Sequence, residues 1–371
     1  MRNNKIIKIK LIQIASLLSI SLAISGCGGT ALKNEFQNIS ENHASLSDEQ
    51  MLLNLARRAN SNTTHFLQMS SVNASFSFGA SVGTSTAYSK TELMNVVAAL
   101  PGILTRMFSF TGTFGLSATE SPTFSFAPLS GATFAKTAYT AIDSKIFFEQ
   151  LRQGVPVNQL MRILVVSVIL DYPSGKRIVL NNSSDQGQPK NFRNFLRLAG
   201  LAREMQLHQV LRVDVVKDQT VLTIPPEALP LLEKLYSSPE YGFWQDSPVQ
   251  LGVNDGIPQV SFVMRPFDGV LGALGQSQGH FERWLASGQK LSDIPASERR
   301  PILTTQWDED KKLTPVVSEV EYLGKSYKIA DLDDGQYSTW NRDSFRILND
   351  LFTIVSLDPK EMPVQQLIKV F

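Results

Sequence analysis

The sequence predicts an α+β protein of mixed helices and short antiparallel sheets. Apolar residues recur at helical spacing in several places, as at Leu52, Leu55, Ala56 and Ala59. A Ser/Thr/Gly/Phe-rich segment at 70–120 instead alternates apolar and polar residues with period two, which favours a β-hairpin-like structure. Because both periodicities occur in one chain, the mixed class is expected.

Length and composition exclude several classes of protein. The chain has 371 residues, of which 43% are hydrophobic and 19% charged, so it can bury the cores of about two domains. A disordered chain is excluded by this balance, and a disulfide scaffold by the single cysteine. The formal net charge of +1 argues against a nucleic-acid partner.

The N-terminus has the pattern of a secretory signal. Residues 1–10 carry four basic side chains and no acid, and residues 11–24 are uncharged. A membrane span needs about 20 apolar residues, so this run is too short to be one. Residues 24–27, Ile-Ser-Gly-Cys, resemble the bacterial lipobox. The sequence therefore predicts a lipoprotein signal peptide at 1–26 and lipidation of Cys27, the alternative being an ordinary signal with a chance cysteine.

Lipidation implies that the protein binds membrane lipid, and it also implies a location in the cell. Acyl chains on Cys27 would bind membrane lipid, because two or more chains anchor a protein stably. The next residue is Gly28 and not aspartate, which by resemblance to lipoproteins of double-membraned cells favours sorting to the outer membrane. We therefore expect a lipid-anchored protein of the outer membrane that faces the periplasm.

Shifts in composition suggest the domain boundaries. Residues 27–46 are small and polar and predict a flexible tether. A first α+β domain is expected at 47–240, including a low-charge β segment at 66–128. A Pro- and Gly-rich linker at 237–258 would separate it from a second α+β domain at 259–371.

Local signals place the elements within these domains. Ser47 and Gln50 have capping-box spacing and predict the start of the first helix. Length favours a helix at 157–170, although its centre at 163–166 also suits a buried strand. Further helices are predicted at 92–104, 132–142, 144–153, 189–208, 270–286 and 344–355. Strands are predicted at 123–127, 210–216, 221–224 and 260–264, with a hairpin at 316–329.

Two stretches of the low-charge segment alternate with particular regularity. Residues 72–82 and 108–118 each place Phe, Val, Leu, Ala or Gly at every even position, and mostly Ser, Thr or Gly at the odd ones. Only four charged residues lie between positions 59 and 135. Each stretch is about as long as a membrane-spanning strand and has the same apolar-out, polar-in pattern. A soluble sheet with one face on a core predicts the same alternation.

Candidate metal-binding and catalytic residues are few. The four histidines have no ligand spacing between them, so no metal or cofactor is expected. His208 ends a predicted helix, where it can bond the last carbonyls. The remaining three are His43, in the tether, and His65 and His280.

Two serine motifs match catalytic patterns by letters only. Gly79 to Gly83 match the G-x-S-x-G nucleophile elbow around Ser81, but the alternation continues through this serine and no helix starts after it. Ser287 and Lys290 have S-x-x-K spacing but predict a helix terminus. We therefore expect no catalytic serine here.

A glycine-rich segment and an acidic segment also do not match the patterns of a phosphate-binding loop and a calcium-binding loop. Gly269, Gly272, Gly275 and Gly279 follow a predicted strand but do not have the spacing of a phosphate loop, so close helix contact explains them better. Residues 331–335 resemble the start of a calcium loop. The twelfth position, however, is Arg342 and not the required glutamate, so a solvated turn is expected.

Three blocks of the sequence resemble one group of proteins. They are Asp-Glu-Gln-Met-Leu-Leu-Asn at 48–54, Pro-Thr-Phe-Ser-Phe-Ala-Pro-Leu-Ser-Gly at 122–131 and Trp-Asn-Arg-Asp-Ser-Phe at 340–345. Together they resemble a group of bacterial outer-membrane lipoproteins with no assigned activity. The resemblance implies a lipid anchor and carries no catalytic residue to this chain.

The leading hypothesis is a non-catalytic lipoprotein with a structural or assembly role in the cell envelope. In a sharper version of this hypothesis, several copies contribute their hairpins to a pore, because a lone hairpin leaves backbone groups unpaired in lipid. The alternative to that version is that both stretches pack in a soluble sheet. One alternative is a lipid-anchored periplasmic hydrolase, with an active site that combines histidine with serine or carboxylates. Another is a substrate-binding lipoprotein, in which Tyr241, Phe243 and Trp244 would line a cleft.

Overall fold

Helices and antiparallel sheets make up the structure and confirm the predicted α+β class. It is a computed structural model that describes residues 33, 36–86, 110–183, 188–216, 219–238, 256–308, 313–332 and 335–356. The described chain forms two compact units, one of residues up to Phe66 together with Ser130–Ser356, and one that contains Leu67–Leu129. No described helix is both long and apolar enough to cross a membrane.

Helix α1 spans residues 36–59 and starts well before the predicted capping box at Ser47. The prediction of a flexible tether up to residue 46 is therefore wrong for 36–46, and residues 27–32 lie outside the described residues. No glycine or proline interrupts 36–59, so the helix continues through its exposed polar start. Its second half contributes to the core of the first unit through Met51, Leu52, Leu55 and Ala56.

The predicted helix at 157–170 is half helix and half strand. Helix α4 spans Val157–Leu164, and strand β3 follows at once as Val165–Asp171. The prediction of a helix is wrong beyond Leu164, where β-branched residues favour an extended chain that pairs on both sides. Helices α2 and α3 precede α4 at Ala132–Tyr139 and Ser144–Arg152.

One five-stranded antiparallel sheet, of strand order β4-β3-β7-β6-β5, organises the first unit. Besides β3, its strands are β4 at Arg177–Asn181, β5 at Arg212–Val216, β6 at Gln219–Thr223 and β7 at Gln259–Met264. Strand β7 follows the predicted linker, yet it pairs with β3, which precedes that linker. The segments on both sides of the boundary predicted at 237–258 therefore belong to one compact unit.

The other elements of the first unit lie between the strands of this sheet and after them along the chain. The predicted helix at 270–286 is two helices that meet at Gln276, whose backbone leaves the helical region (φ −98°, ψ 0°). Helix α6 was not predicted, and α9 begins four residues before its predicted start. These elements are α5 at Pro189–Leu207, α6 at Leu229–Ser237, α7 at Phe267–Gly275, α8 at Ser277–Ala286, β8 at Leu313–Tyr322, β9 at Lys325–Leu332 and α9 at Trp340–Val355.

The second unit contains a long two-stranded antiparallel ribbon. Strand β1 spans Leu67–Thr86 and β2 spans Phe110–Pro128, with nineteen opposed positions. The strand predicted at 123–127 is part of β2, because the alternation continues through Pro122 without a turn. The 72–82 stretch pairs with 114–124. The helix predicted at 92–104 lies outside the described residues.

Candidate functional site

The register of the β1–β2 ribbon places polar residues on one face and mostly apolar residues on the other. Directly opposed residues of an antiparallel pair share a face, and eight successive pairs of one parity contain only Asn, Ser, Thr and Gly. This polar face consists of Ser71 with Ser125, Asn73 with Thr123, Ser75 with Ser121, Ser77 with Thr119, Gly79 with Ser117, Ser81 with Gly115, Gly83 with Thr113 and Ser85 with Thr111.

The opposite face of the ribbon is mostly apolar, and we call it the apolar face. Its pairs are Val72 with Phe124, Ala74 with Pro122, Phe76 with Glu120, Phe78 with Ala118, Ala80 with Leu116, Val82 with Phe114, Thr84 with Gly112 and Thr86 with Phe110. The two alternating stretches found in the sequence therefore contribute their apolar positions to the same face. Glu120 is the one charged residue within β1 and β2.

A β-bulge extends the apolar face to the start of the ribbon. The register shifts between Met69 and Ser71, so β1 has one extra residue at this point. A one-residue shift exchanges the faces of all residues beyond it. Met69 therefore lies opposite Phe126 and Leu67 opposite Pro128, where an unbroken alternation would assign both to the polar face.

Several residues singled out in the sequence cannot be located. The predicted lipidation residue Cys27 lies outside the described residues, as do Tyr241, Phe243 and Trp244. Their roles remain predictions.

The histidines do not come together. His43 and His65 are exposed, and Nδ1 of His208 lies 2.9 Å from the carbonyl oxygen of Glu204, as predicted for a helix end. His280 lies on the wall of a cavity described below. Within the described ranges no three metal-ligating side chains form a group.

The serine motifs lie where the sequence predicts. Ser81 is inside β1 and opposite Gly115, with no strand-to-helix turn beside it. Ser287 follows α8 and donates its hydroxyl to the carbonyl of Trp284 at 2.6 Å. Both motifs therefore have ordinary strand and helix-end structures.

The glycines of α7 allow a close approach to α1. A Cβ on Gly275 would lie 2.8 Å from the carbonyl oxygen of Leu55, closer than real Cβ contacts. The prediction of close helix contact is thus confirmed at Gly275. Arg58 and Asp268 join the same two helices through an ion pair of 2.5 Å.

Asp331 is bound by the start of α9. Its carboxylate accepts from the backbone N–H of Asn341 at 3.0 Å and from Nε of Arg342 at 2.5 Å. Arg342, the residue that breaks the calcium-loop pattern, therefore neutralises the first acid of that pattern. Asp331 is 2% exposed, so this acid is a buried structural residue and not part of a solvated turn.

A buried polar network surrounds α4 and was not predicted. All eight residues of the helix are buried, including Asn158, Gln159 and Arg162. Arg162 pairs with Glu298 at 3.2 Å between Nη1 and Oε2, and Nδ2 of Asn158 donates to Oε1 of the same glutamate at 2.7 Å. Burial lowers the pKa of Arg162, while the Glu298 carboxylate opposes that shift.

The third resemblance block supplies the other side of this network. Nε2 of Gln159 donates to the carbonyl of Trp340 and to the hydroxyl of Ser344. The guanidinium of Arg162 lies 5.6 Å from the centre of the Trp340 ring, within cation–π range. Trp340 and Ser344 of this block therefore contribute to the buried network around α4.

A second arginine, Arg265, is buried without an acid. Its guanidinium donates to the carbonyls of Arg162 and Ile163 at the end of α4 and to that of Asn182. No described carboxylate lies within ion-pair distance of it. Burial lowers the pKa of Arg265 to about 10, so the side chain stays protonated at neutral pH.

Both arginines line one cavity of about 190 Å³. One part of its wall is polar and is formed by Arg162, Arg265 and neighbours such as Asn182 and Gln276. The other part is apolar and consists of Phe192, Phe281, Ile302, Gly269, Gly272 and Ala273. The cavity thus combines charged hydrogen-bond donors with an apolar wall.

Sequence reasoning missed this cavity because its residues come from distant segments. Arg162 lies on α4 and Arg265 directly after β7, 103 positions apart. The one local signal is Asn-Gln followed by Arg within an otherwise apolar helix. That pattern is compatible with an ordinary exposed face, so it does not point to burial by itself.

Comparison with known proteins adds no relative to this description. The chain matches no protein-family model, no curated protein and no solved structure.

Proposed function

We propose that the protein is a lipid-anchored outer-membrane lipoprotein with a non-catalytic assembly role, whose copies associate through the β1–β2 ribbon. Several ribbons side by side form a sheet that closes into a pore. The polar face lines the interior of this pore, and the apolar face contacts lipid.

The observation that carries the proposal is the division of the ribbon into two faces. Pairing could have set the apolar face of one strand against the polar face of the other. The nineteen opposed positions instead follow one division of polarity, except at Ala127, at Glu120 and at the pairs near Thr86. A lipid-contacting sheet needs this division along its whole length. It also needs further strands at both edges, which other copies supply.

The position of Glu120 defines the part that enters the membrane. Beyond the Phe76–Glu120 pair, the segments Phe78–Thr86 and Phe110–Ala118 are free of charge and nine residues long. A tilted strand of about 9–11 residues crosses the hydrocarbon core. Glu120 therefore lies at the membrane–water boundary, where a charge costs little.

The lipid anchor rests on the sequence around Cys27. Lipid chains on this residue would hold each copy at the membrane and raise the local concentration of ribbons. Association then takes place on the membrane surface, and the anchor and the ribbon act on the same bilayer.

The anchor is tested by growth of cells with labelled palmitate. We expect the label to enter the wild-type protein and not the Cys27→Ser variant, and only the wild type to fractionate with outer membranes. Equal fractionation of an unlabelled wild type and Cys27→Ser would contradict the anchor.

Assembly is tested on the lipidated protein extracted in detergent, by measuring its mass in solution and the release of dye from vesicles. We expect an oligomer that releases dye. Replacing the apolar-face pair Val82 and Phe114 with asparagine should abolish both. The matched control replaces Ser85 and Thr111, an opposed pair of the polar face within the same segments, with asparagine and should preserve both.

Two results would overturn the assembly proposal. One is a monomer in detergent that stays soluble and monomeric when it is made as Cys27→Ser. The other is equal loss of assembly in the two asparagine variants, because the proposal assigns different surroundings to the two faces.

A further inference from the structure

We propose that the cavity between the two buried arginines binds a small organic carboxylate, a site separate from the ribbon. The cavity lies beside α5, α7 and α8 and is bounded by Arg162, Arg265, Phe192, Phe281 and Ile302. An enclosed space of about 150 Å³ holds a benzene molecule. A volume of about 190 Å³ therefore suits a carboxylate with a ring or a short chain.

The charge of Arg265 is the first argument for an anion. Its side chain is 9% exposed, and among the described residues it has only backbone carbonyls as acceptors. These three bonds leave two of its five N–H groups without a described acceptor. A buried cation without a counter-ion is costly, and a bound anion removes that cost.

The second argument is the number of donors left on this wall. Arg162 also lines the cavity, but its Nη groups are committed to Glu298 and to the carbonyl of Arg300, and its Nε is fully buried. The two remaining N–H groups of Arg265 are therefore the donors for a ligand, and a carboxylate suits them because each of its two oxygens can accept.

The charge and the apolar part of the cavity wall favour one class of anion over another. Arg162 is neutralised by Glu298, so the excess charge on the wall is one, which matches a monoanion better than a phosphate dianion. The apolar part of the wall, with Phe192, Phe281 and Ile302, offers contact to a hydrocarbon body. Both features favour an organic acid over an inorganic oxyanion.

The test is equilibrium dialysis of the full chain in detergent against radiolabelled benzoate, with detergent alone as the blank. We expect one benzoate per chain, displaced by unlabelled benzoate. Benzamide, which has the same shape without the charge, and inorganic phosphate should not displace it. Displacement by benzamide as effective as by benzoate, displacement by phosphate, or no saturable binding would each overturn the proposal.

Two variants locate the site. Arg265→Gln should weaken benzoate binding at least about tenfold, because a charged hydrogen-bond donor is lost. Gly272→Ala should keep the fold, since its Cβ would lie an ordinary 3.7 Å from Nη2 of Arg58. Because Gly272 lines the cavity, we expect the added methyl group to reduce the space for a ligand and to weaken binding as well.

Gly279→Ala is the matched control, because it makes the same change in a neighbouring helix at a position outside this cavity. It should bind benzoate like the wild type. If Arg265→Gln does not fold, the comparison of Gly272→Ala with Gly279→Ala decides. Equal affinity in those two variants would overturn the assignment of the site.

Discussion

Glu298 and Arg162 form an ion pair from which water is excluded on both sides. Their side chains are 0% and 1% exposed, and Nη1 lies 3.2 Å from Oε2. Asn158 and Ser297 donate to the other carboxylate oxygen at 2.7 and 2.9 Å. The pair thus has the additional hydrogen bonds that a buried charge requires.

Removal of this carboxylate should be strongly destabilising. We expect Glu298→Ala to lower the free energy of unfolding by about 3–5 kcal/mol, because Arg162 is left as a buried, uncompensated charge. The measurement is urea denaturation followed by circular dichroism. Glu319→Ala is the control, since the Glu319–Lys328 pair is exposed to water and should cost less than about 1 kcal/mol. Equal costs would contradict the role given to Glu298.

Gly275 should tolerate no side chain. The Cβ of Gly275→Ala would approach the carbonyl oxygen of Leu55 to 2.8 Å and force α1 and α7 apart. We expect a loss of about 1–3 kcal/mol in thermal unfolding. Gly279→Ala meets only the flexible end of Arg283, at 3.4 Å, and should be neutral or stabilised by up to about 1 kcal/mol. A stable Gly275→Ala variant would show that the helices are not in close contact.

Stability near Asp48 should depend on pH. Burial raises the pKa of Asp48, and a hydrogen bond from Asn349 partly opposes this rise. An acid with a raised pKa in the folded state destabilises the fold above that pKa, where it is ionised, and this cost disappears as pH falls and the group is protonated.

Asp48→Asn should therefore be more stable than the wild type at pH 7, with an advantage that shrinks as the solution is acidified. Denaturant midpoints measured between pH 7 and pH 3 check this. Glu41→Gln, on the exposed part of the same helix, controls for the loss of one negative charge. An advantage that grows on acidification would contradict the raised pKa.

The ribbon register can be checked by disulfide cross-linking. In a Cys27→Ser background, which has no other cysteine, we introduce cysteines at Ser77 and Thr119, or at Phe78 and Ala118. At least one of these opposed pairs should oxidise readily, because non-hydrogen-bonded neighbours approach to about 4.5 Å between Cα atoms. The offset pair Ser77 and Ser117 is about 7–8 Å apart and should not oxidise. Oxidation of the offset pair instead would place the strands in another register.

The faces of the ribbon could be predicted from the sequence because alternation is a property of each strand alone. Val72 and Val82 belong to the apolar face whatever strand lies beside them. Which residue lies opposite depends on the partner strand, so the pairing of Val82 with Phe114 was beyond sequence reasoning. The bulge beside Met69 leaves only a change of phase, from apolar residues at odd positions (Leu67, Met69) to an apolar residue at an even one (Val72). Such a change does not distinguish a bulge from the end of a strand.

The buried polar network around α4 was unpredictable for a different reason. Gln159 finds its acceptors at Trp340 and Ser344, and Arg162 finds its carboxylate at Glu298. Partners more than 130 positions away decide whether such polar residues are buried. The ends of helices were easier to predict, because they depend on residues that are close in sequence. Helix α5, for example, begins at the predicted residue, Pro189.

The immediate succession of α4 and β3 imposes an order on biosynthesis. Strand β3 lacks its neighbour β7 until residue 264 has been made, and the polar groups of α4 lack theirs until Ser344 follows. At about 5–20 residues per second, this delay is on the order of ten seconds or longer. Throughout that interval residues 157–171 lack partners that bury them in the folded protein.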